Sequence, residues 1–105
     1  MQVEWKKQAT RQLEAIIAYG ENNFGKQAAA RFYSKVKACD ARLADNPELG
    51  FPEPLLAERK RNYRSLIVDE HYKIIYWTDT AQGIIYIADL WDTRREPARL
   101  AKRMK

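Results

Sequence analysis

The hydrophobic residues change period part-way along the chain, and that change limits the folds open to it. Ala9, Leu13, Ile16, Ile17 and Phe24 follow helical steps of three, four and seven, the spacing of an amphipathic helix that lays one stripe against a core. Gly25 is the expected stop. Ala28, Phe32, Val36, Cys39 and Leu43 repeat the spacing until Asn46-Pro47, where proline removes a backbone donor and ends the pattern. Two antiparallel helices in a hairpin follow from this. Residues 47–62 hold Pro47, Gly50, Pro52 and Pro54 and then the charged run Glu58-Arg59-Lys60-Arg61, a connecting loop with room for at most one helical turn. From Tyr63 the texture is that of strands. Tyr63–Val68, Tyr72–Trp77 and Ile84–Trp91 are rich in β-branched and aromatic residues and are separated by Asp69-Glu70-His71 and by Thr78–Gly83, both hairpin-length turns. With a short extended start at Val3-Glu4-Trp5, the order is β-α-α-β-β-β. This is an α+β fold in which an N-terminal strand and helical hairpin pack on one face of a twisted antiparallel sheet. The other face is expected to meet water or a partner.

Residues 1–105 are expected to form a single domain, because the length suits one core and no repeat, low-complexity tract or Gly/Ser linker interrupts it. A hydrophobic share of 46% against 31% charged residues is the balance of a folded chain rather than a disordered one. The only cysteine, Cys39, falls on a helical stripe and has no internal disulfide partner. Charged residues stand where a signal peptide needs its apolar stretch, and no apolar run approaches membrane-spanning length. The expectation is a cytoplasmic protein. Net charge is +5, and the last twelve residues, with six Lys or Arg against one Glu, hold the equivalent of all of it. Such a balance implies attraction to polyanions or to an acidic partner surface. The widely separated lone His71 and Cys39 have no metal-ligand spacing, and no Gly-rich phosphate loop or nucleophile elbow is present. No metal and no organic cofactor is expected.

Several local patterns recur in the same order as in a known family. Tyr19 runs to Phe24-Gly25 at the end of the first helix, and Leu43 runs through Asn46-Pro47 to Gly50 at the end of the second. Tyr63-Arg64-Ser65-Leu66 opens the sheet, Tyr72-Lys73-Ile74-Ile75-Tyr76 forms its middle, and Asp92-Thr93-Arg94-Arg95-Glu96-Pro97 follows the last strand. With the order of elements, these patterns resemble the RelE/ParE superfamily, toxins of type II toxin–antitoxin (plasmid stabilisation) systems, over nearly the whole chain. The resemblance implies a growth inhibitor neutralised by a cognate antitoxin. Two mechanisms occur in the superfamily: ribosome-dependent mRNA endonucleases resembling RelE, and inhibitors of DNA gyrase resembling ParE. Fold alone does not separate them.

Carried over residue by residue, Arg64 on the first main strand, Lys73 on the second and Arg94 after the third match basic positions of the endonucleases. There they would hold a phosphate and stabilise developing charge. The chain departs from that pattern in two places. Leu66 stands where a second basic residue is expected, and Arg95–Lys105 contains no Tyr or His for proton transfer. His71 and Tyr72 are the nearest titratable substitutes. Whether the chain is an enzyme therefore stays open, and the missing acid or base tilts the reading toward a gyrase inhibitor.

Each signal also has a plainer explanation. Arg64 and Lys73 suit the solvent side of strands, Arg94 and Arg95 suit a solvated turn beside Asp92 and Glu96, and the aromatic residues suit core packing. The basic tail is either a solvated end or a short amphipathic helix begun at Pro97. On the toxin reading the partner is an antitoxin with an acidic amphipathic segment that folds on binding. The alternative is a non-toxic small basic nucleic-acid-binding module, or an inactive family member. The phosphate-binding idea rests on Arg64, Lys73 and Arg94 converging on one patch.

Overall fold

Both helices end where their stop residues fall. In the computed structural model, which describes residues 1–104, α1 spans Lys7–Phe24 and α2 spans Lys26–Asp45. Gly25 between them sits at φ 92°, a left-handed conformation that L side chains rarely adopt, so the hairpin turns on this glycine. The strands are β1 (Gln2–Trp5), β2 (Phe51–Pro52), β3 (Arg64–Ile67), β4 (Tyr72–Asp79) and β5 (Ile84–Asp92). A 3-10 turn at Pro54–Leu56 and a short helix α3 at Pro97–Arg103 complete the chain. Pro97 stands in the first turn of α3, where its missing N–H costs nothing. Lys105, the last residue of the basic tail, lies outside the described residues. No helix among the described residues is long and apolar enough to cross a membrane.

The sheet order is β1-β5-β4-β3-β2. All neighbours run antiparallel except β1 and β5, which pair in parallel, Val3 opposite Ile85 and Trp5 opposite Ile87. The first residues of the chain are thus fixed beside the last strand, and the hairpin returns from there across one face. On that face Ala9, Leu13, Val36, Cys39 and Leu43 of the helices bury Leu66, Ile74, Tyr76, Ile85, Ile87 and Leu90 of the sheet. Trp5 ties β1 to α2 by donating its indole N–H to Asp40, 2.9 Å to the nearer carboxylate oxygen.

The β4–β5 register slips between Ile75 and Tyr76: Ile75 faces Asp89 whereas Tyr76 faces Ile87, so Ala88 is an extra residue. This bulge has a consequence for polarity. Under strict alternation Asp89 would follow Ile85 and Ile87 into the helical core. The bulge instead sends Leu90 there and leaves Asp89 opposite Ile75 on the second face, where Arg103 of α3 donates to it.

The second sheet face, expected to meet water or a partner, is partly covered by the chain itself. Leu100 and Met104 of the C-terminal segment and Leu56 and Tyr63 of the loop cover Ile75 and Trp91 in a separate apolar cluster. The seven-residue α3 covers only part of that face, and Trp77 and Tyr86 remain half-exposed beside it.

The Pro-rich loop is held by polar groups of the sheet. Tyr76, fully buried, donates its hydroxyl to the Pro47 carbonyl at 2.8 Å and accepts the Gly50 N–H at 2.9 Å. A Cβ on Gly50 would lie 2.5 Å from the Ser65 carbonyl and 2.8 Å from Tyr76, so only glycine fits. The Asn46-Pro47, Gly50 and Tyr76 elements of the motif thus meet in space because they form one joint.

Candidate partner-binding groove

A concavity of about 650 Å³ opens between the tip of the helical hairpin and one end of the sheet. Ile16, Tyr19 and Phe24 of α1 and Phe32 of α2 form its apolar wall, and His71, Tyr72, Arg94 and Arg95 form its polar end. Phe24 is 70% exposed and Tyr19 59%, with the two rings edge to face at 6.1 Å. The helical period places Phe24 in the core; in the structure its ring is exposed at the end of α1, against Tyr19 and on the lining of the groove. Large exposed aromatics beside a groove mark a surface that takes a partner.

The polar end is ordered by local bonds. Asp69 accepts the N–H groups of His71 (2.8 Å) and Tyr72 (3.0 Å), which fixes the β3–β4 turn. Tyr72 packs edge-on against Phe32, with centroids 5.1 Å apart, and the Arg94 guanidinium lies 5.8 Å from its ring centre. Arg94 donates to both carboxylate oxygens of Asp92, at 2.9 and 3.0 Å. These bonds hold the Asp92 carboxyl below its ordinary range. Burial, with the nearby Asp92 charge, pushes the Tyr72 hydroxyl up, so it keeps its proton and is a poor base at neutral pH. Arg95 is exposed and forms no ion pair among the described residues.

Arg64, Lys73 and Arg94 do not converge. Arg64 lies opposite Tyr76 on the helix side of the sheet and donates to the Gly50 carbonyl at 2.6 Å, bracing the loop joint. Arg94 sits over Tyr72, four residues away along β4 or about 13 Å of strand. Lys73 shares the parity of Ile75 and therefore points to the other face, where it donates to Glu53. Glu53 is almost wholly buried and also accepts from Ser65 Oγ at 2.6 Å. Burial raises its carboxyl, but the bonds from Lys73, Ser65 and the Leu55 N–H outweigh that and leave it below the ordinary range. The expected phosphate grip is thus replaced by two structural braces and one groove residue. His71 and Tyr72 do join Arg94 in the groove. Among the described residues no group of three His, Cys, Asp or Glu side chains is placed to hold a metal.

The family model for "ParE toxin of type II toxin-antitoxin system, parDE" matches residues 3–97. The chain belongs to the ParE toxin family. As a ParE-family chain it is a type II toxin with a cognate antitoxin as partner, within the RelE/ParE superfamily that the sequence patterns resemble. A chain in the structure titled "Chromosomal ParDE TA system from P. aeruginosa" has the same fold, with a TM-score of 0.70 at 16% identity over 88% of this toxin and 95% of that chain. No curated protein matches this ParE-family toxin in sequence. The matched residues run from the first strand to Pro97, so the family pattern contains every groove residue.

Proposed function

We propose that this ParE-family toxin inhibits growth by binding DNA gyrase rather than by cutting RNA, and that its antitoxin lays an acidic amphipathic segment in the groove. The observation that carries this reading is the dispersal of Arg64, Lys73 and Arg94. Phosphoryl chemistry needs cations and a proton-transfer group around one reacting phosphate. Here one cation braces a loop, the second is committed to a buried carboxylate on the opposite face, and the third is paired with Asp92. What remains at the groove is a recognition surface: an aromatic and aliphatic wall for the apolar side of a helix, and Arg94 and Arg95 for its acidic residues.

One observation favours the RelE-like reading: His71, Tyr72 and Arg94 line the same groove, so a cation and two titratable groups do share a site. The two readings separate in a paired experiment. Purified toxin is added to a gyrase supercoiling assay, and mRNA ends are mapped after brief induction in bacteria. Inhibited supercoiling without new ends inside codons is expected. Cleavage within codons, with gyrase unaffected, overturns the gyrase reading.

A further inference from the structure

The second sheet face carries a feature that the groove does not use. Trp77 on β4 and Tyr86 on β5 stand directly opposite each other, their rings stacked with centroids 4.7 Å apart and planes 29° from parallel. The Arg61 guanidinium lies 4.2 Å from the Trp77 ring centre, and the Lys6 ammonium 4.9 Å from that of Tyr86. Cation, ring, ring and cation thus form one row, drawn from the 57–63 loop, β4, β5 and the β1–α1 junction. Both rings are half-buried and both cations are exposed. Neither cation has a carboxylate within ion-pair distance among the described residues, whereas Lys73, Arg94 and Arg103 each do.

The same face also joins two basic runs far apart in sequence. Arg59 donates to the Ala101 carbonyl of α3, which brings the Arg59-Lys60-Arg61 run against the short helix. Leu100 faces the core while Arg99 and Lys102 are exposed. The acids near the row are Glu4, which pairs across the strands with Tyr86, Asp79, two residues on from Trp77 on the same face of β4, and Glu58 and Glu96, which lie in or beside the two basic runs. Cations predominate.

We infer that the part of the second sheet face left open by α3 binds single-stranded nucleic acid, with bases stacking on the Trp77–Tyr86 pair and phosphates meeting Arg61, Lys6 and the joined basic runs. A cation held over an exposed ring by that ring alone is weakly held, and base–aromatic stacking is the stronger contact. An incoming base can therefore take the place of Arg61 or Lys6, and the released cation moves to the adjoining phosphate. Duplex DNA hides the faces of its bases, so it meets only the cations. Stacking accepts every base, so no sequence preference is expected. This surface lies on the opposite side of the sheet from the helical hairpin, and its use does not depend on the gyrase or antitoxin readings.

The test is fluorescence polarisation of the purified full chain with labelled oligothymidylate, oligouridylate and a mixed-sequence duplex, each about 16 nucleotides long, over a salt series. Both single strands are expected to bind more tightly than the duplex at equal salt, with tryptophan fluorescence quenched on binding. The thymidylate–uridylate difference then tells whether DNA or RNA is preferred. Trp77→Leu is expected to weaken single-strand binding on the order of tenfold and to leave duplex binding nearly unchanged. Arg61→Glu, at an exposed position, is expected to weaken both and keeps the test decisive if Trp77→Leu does not fold. Duplex bound as tightly as single strand overturns the inference. So does single-strand affinity that neither variant changes.

Discussion

The two faces of the sheet are built on different principles. The helix-covered face buries aliphatic side chains from two long helices, and its fully buried polar group is the Tyr76 hydroxyl, satisfied by Pro47 and Gly50. The second face has a seven-residue helix for cover and is organised around two buried carboxylates: Glu53, bonded by Lys73 and Ser65, and Asp89, bonded by Arg103 and Gln8. Apolar burial is non-directional, whereas a buried carboxylate must be met by specific donors. The first face therefore needs only the right pattern. The second needs particular partners brought from far along the chain.

This contrast can be broken deliberately, and the largest effect is expected on the helix side. Ile87→Ala leaves a cavity in the helix-covered core and should cost about 4 kcal/mol in denaturant unfolding. A loss below about 1 kcal/mol would mean that this core relaxes far more than its packing suggests. Arg103→Met leaves Asp89 buried without its cation and should cost about 3 kcal/mol. Hydrogen exchange in that variant should show α3 amides losing protection while α1 and α2 keep theirs. Tyr76→Phe removes one donor and leaves the Gly50 N–H without its acceptor, for about 1–2 kcal/mol, with faster exchange confined to the 46–52 loop.

The two carboxylates also respond to pH in opposite directions. Burial holds the Asp89 carboxyl above its ordinary range, with Arg103 offsetting only part of the rise, so the native state binds its proton more readily than the unfolded chain. Its contribution therefore falls as pH rises through the window between the unfolded and folded values. Glu53 is held below its ordinary range, so its contribution is present above the unfolded value and is lost as pH falls through the folded one. Stability measured against pH should accordingly lose less on acidification in Glu53→Gln than in the parent, and more in Asp89→Asn. Matching profiles for the parent and both variants would contradict these assignments. Arg94→Ala should have the smallest effect, leaving the thermal unfolding midpoint close to that of the parent, because its pair with Asp92 is solvated. Its effect on antitoxin affinity should be the larger one.

How far the sequence could be read follows the same division. Helical spacing located the hairpin, Gly25 and Asn46-Pro47 marked its ends, and β-branched runs located three strands. All of these signals are local. Pro97 permitted α3, but a solvated end was an equally open reading of the tail. The two-residue β2 carries no alternation, and Pro52 is tolerated there because the strand lies at the sheet edge. The parallel pairing of β1 with β5 and the bulge at Ala88 depend on contacts across most of the chain and leave no local trace. The same is true of the candidate site. Strand parity puts Lys73 on the opposite face from Tyr72 and Tyr76, and this could have been read in advance. Its partner Glu53, across the Pro-rich loop, could not. Phe24 fitted the helical stripe, and its exposure in the groove depends on the tertiary packing at the end of α1, which the stripe does not encode.

The most direct test of the account is hydrogen exchange measured on the toxin alone and in complex with its antitoxin. The groove reading predicts new protection in the second half of α1, the first half of α2, the turn at His71-Tyr72 and the segment at Arg94-Arg95, with Arg59–Arg61 and α3 unchanged. Protection confined to α3 and Arg59–Arg61, with the hairpin tip exchanging as in the free toxin, would contradict it.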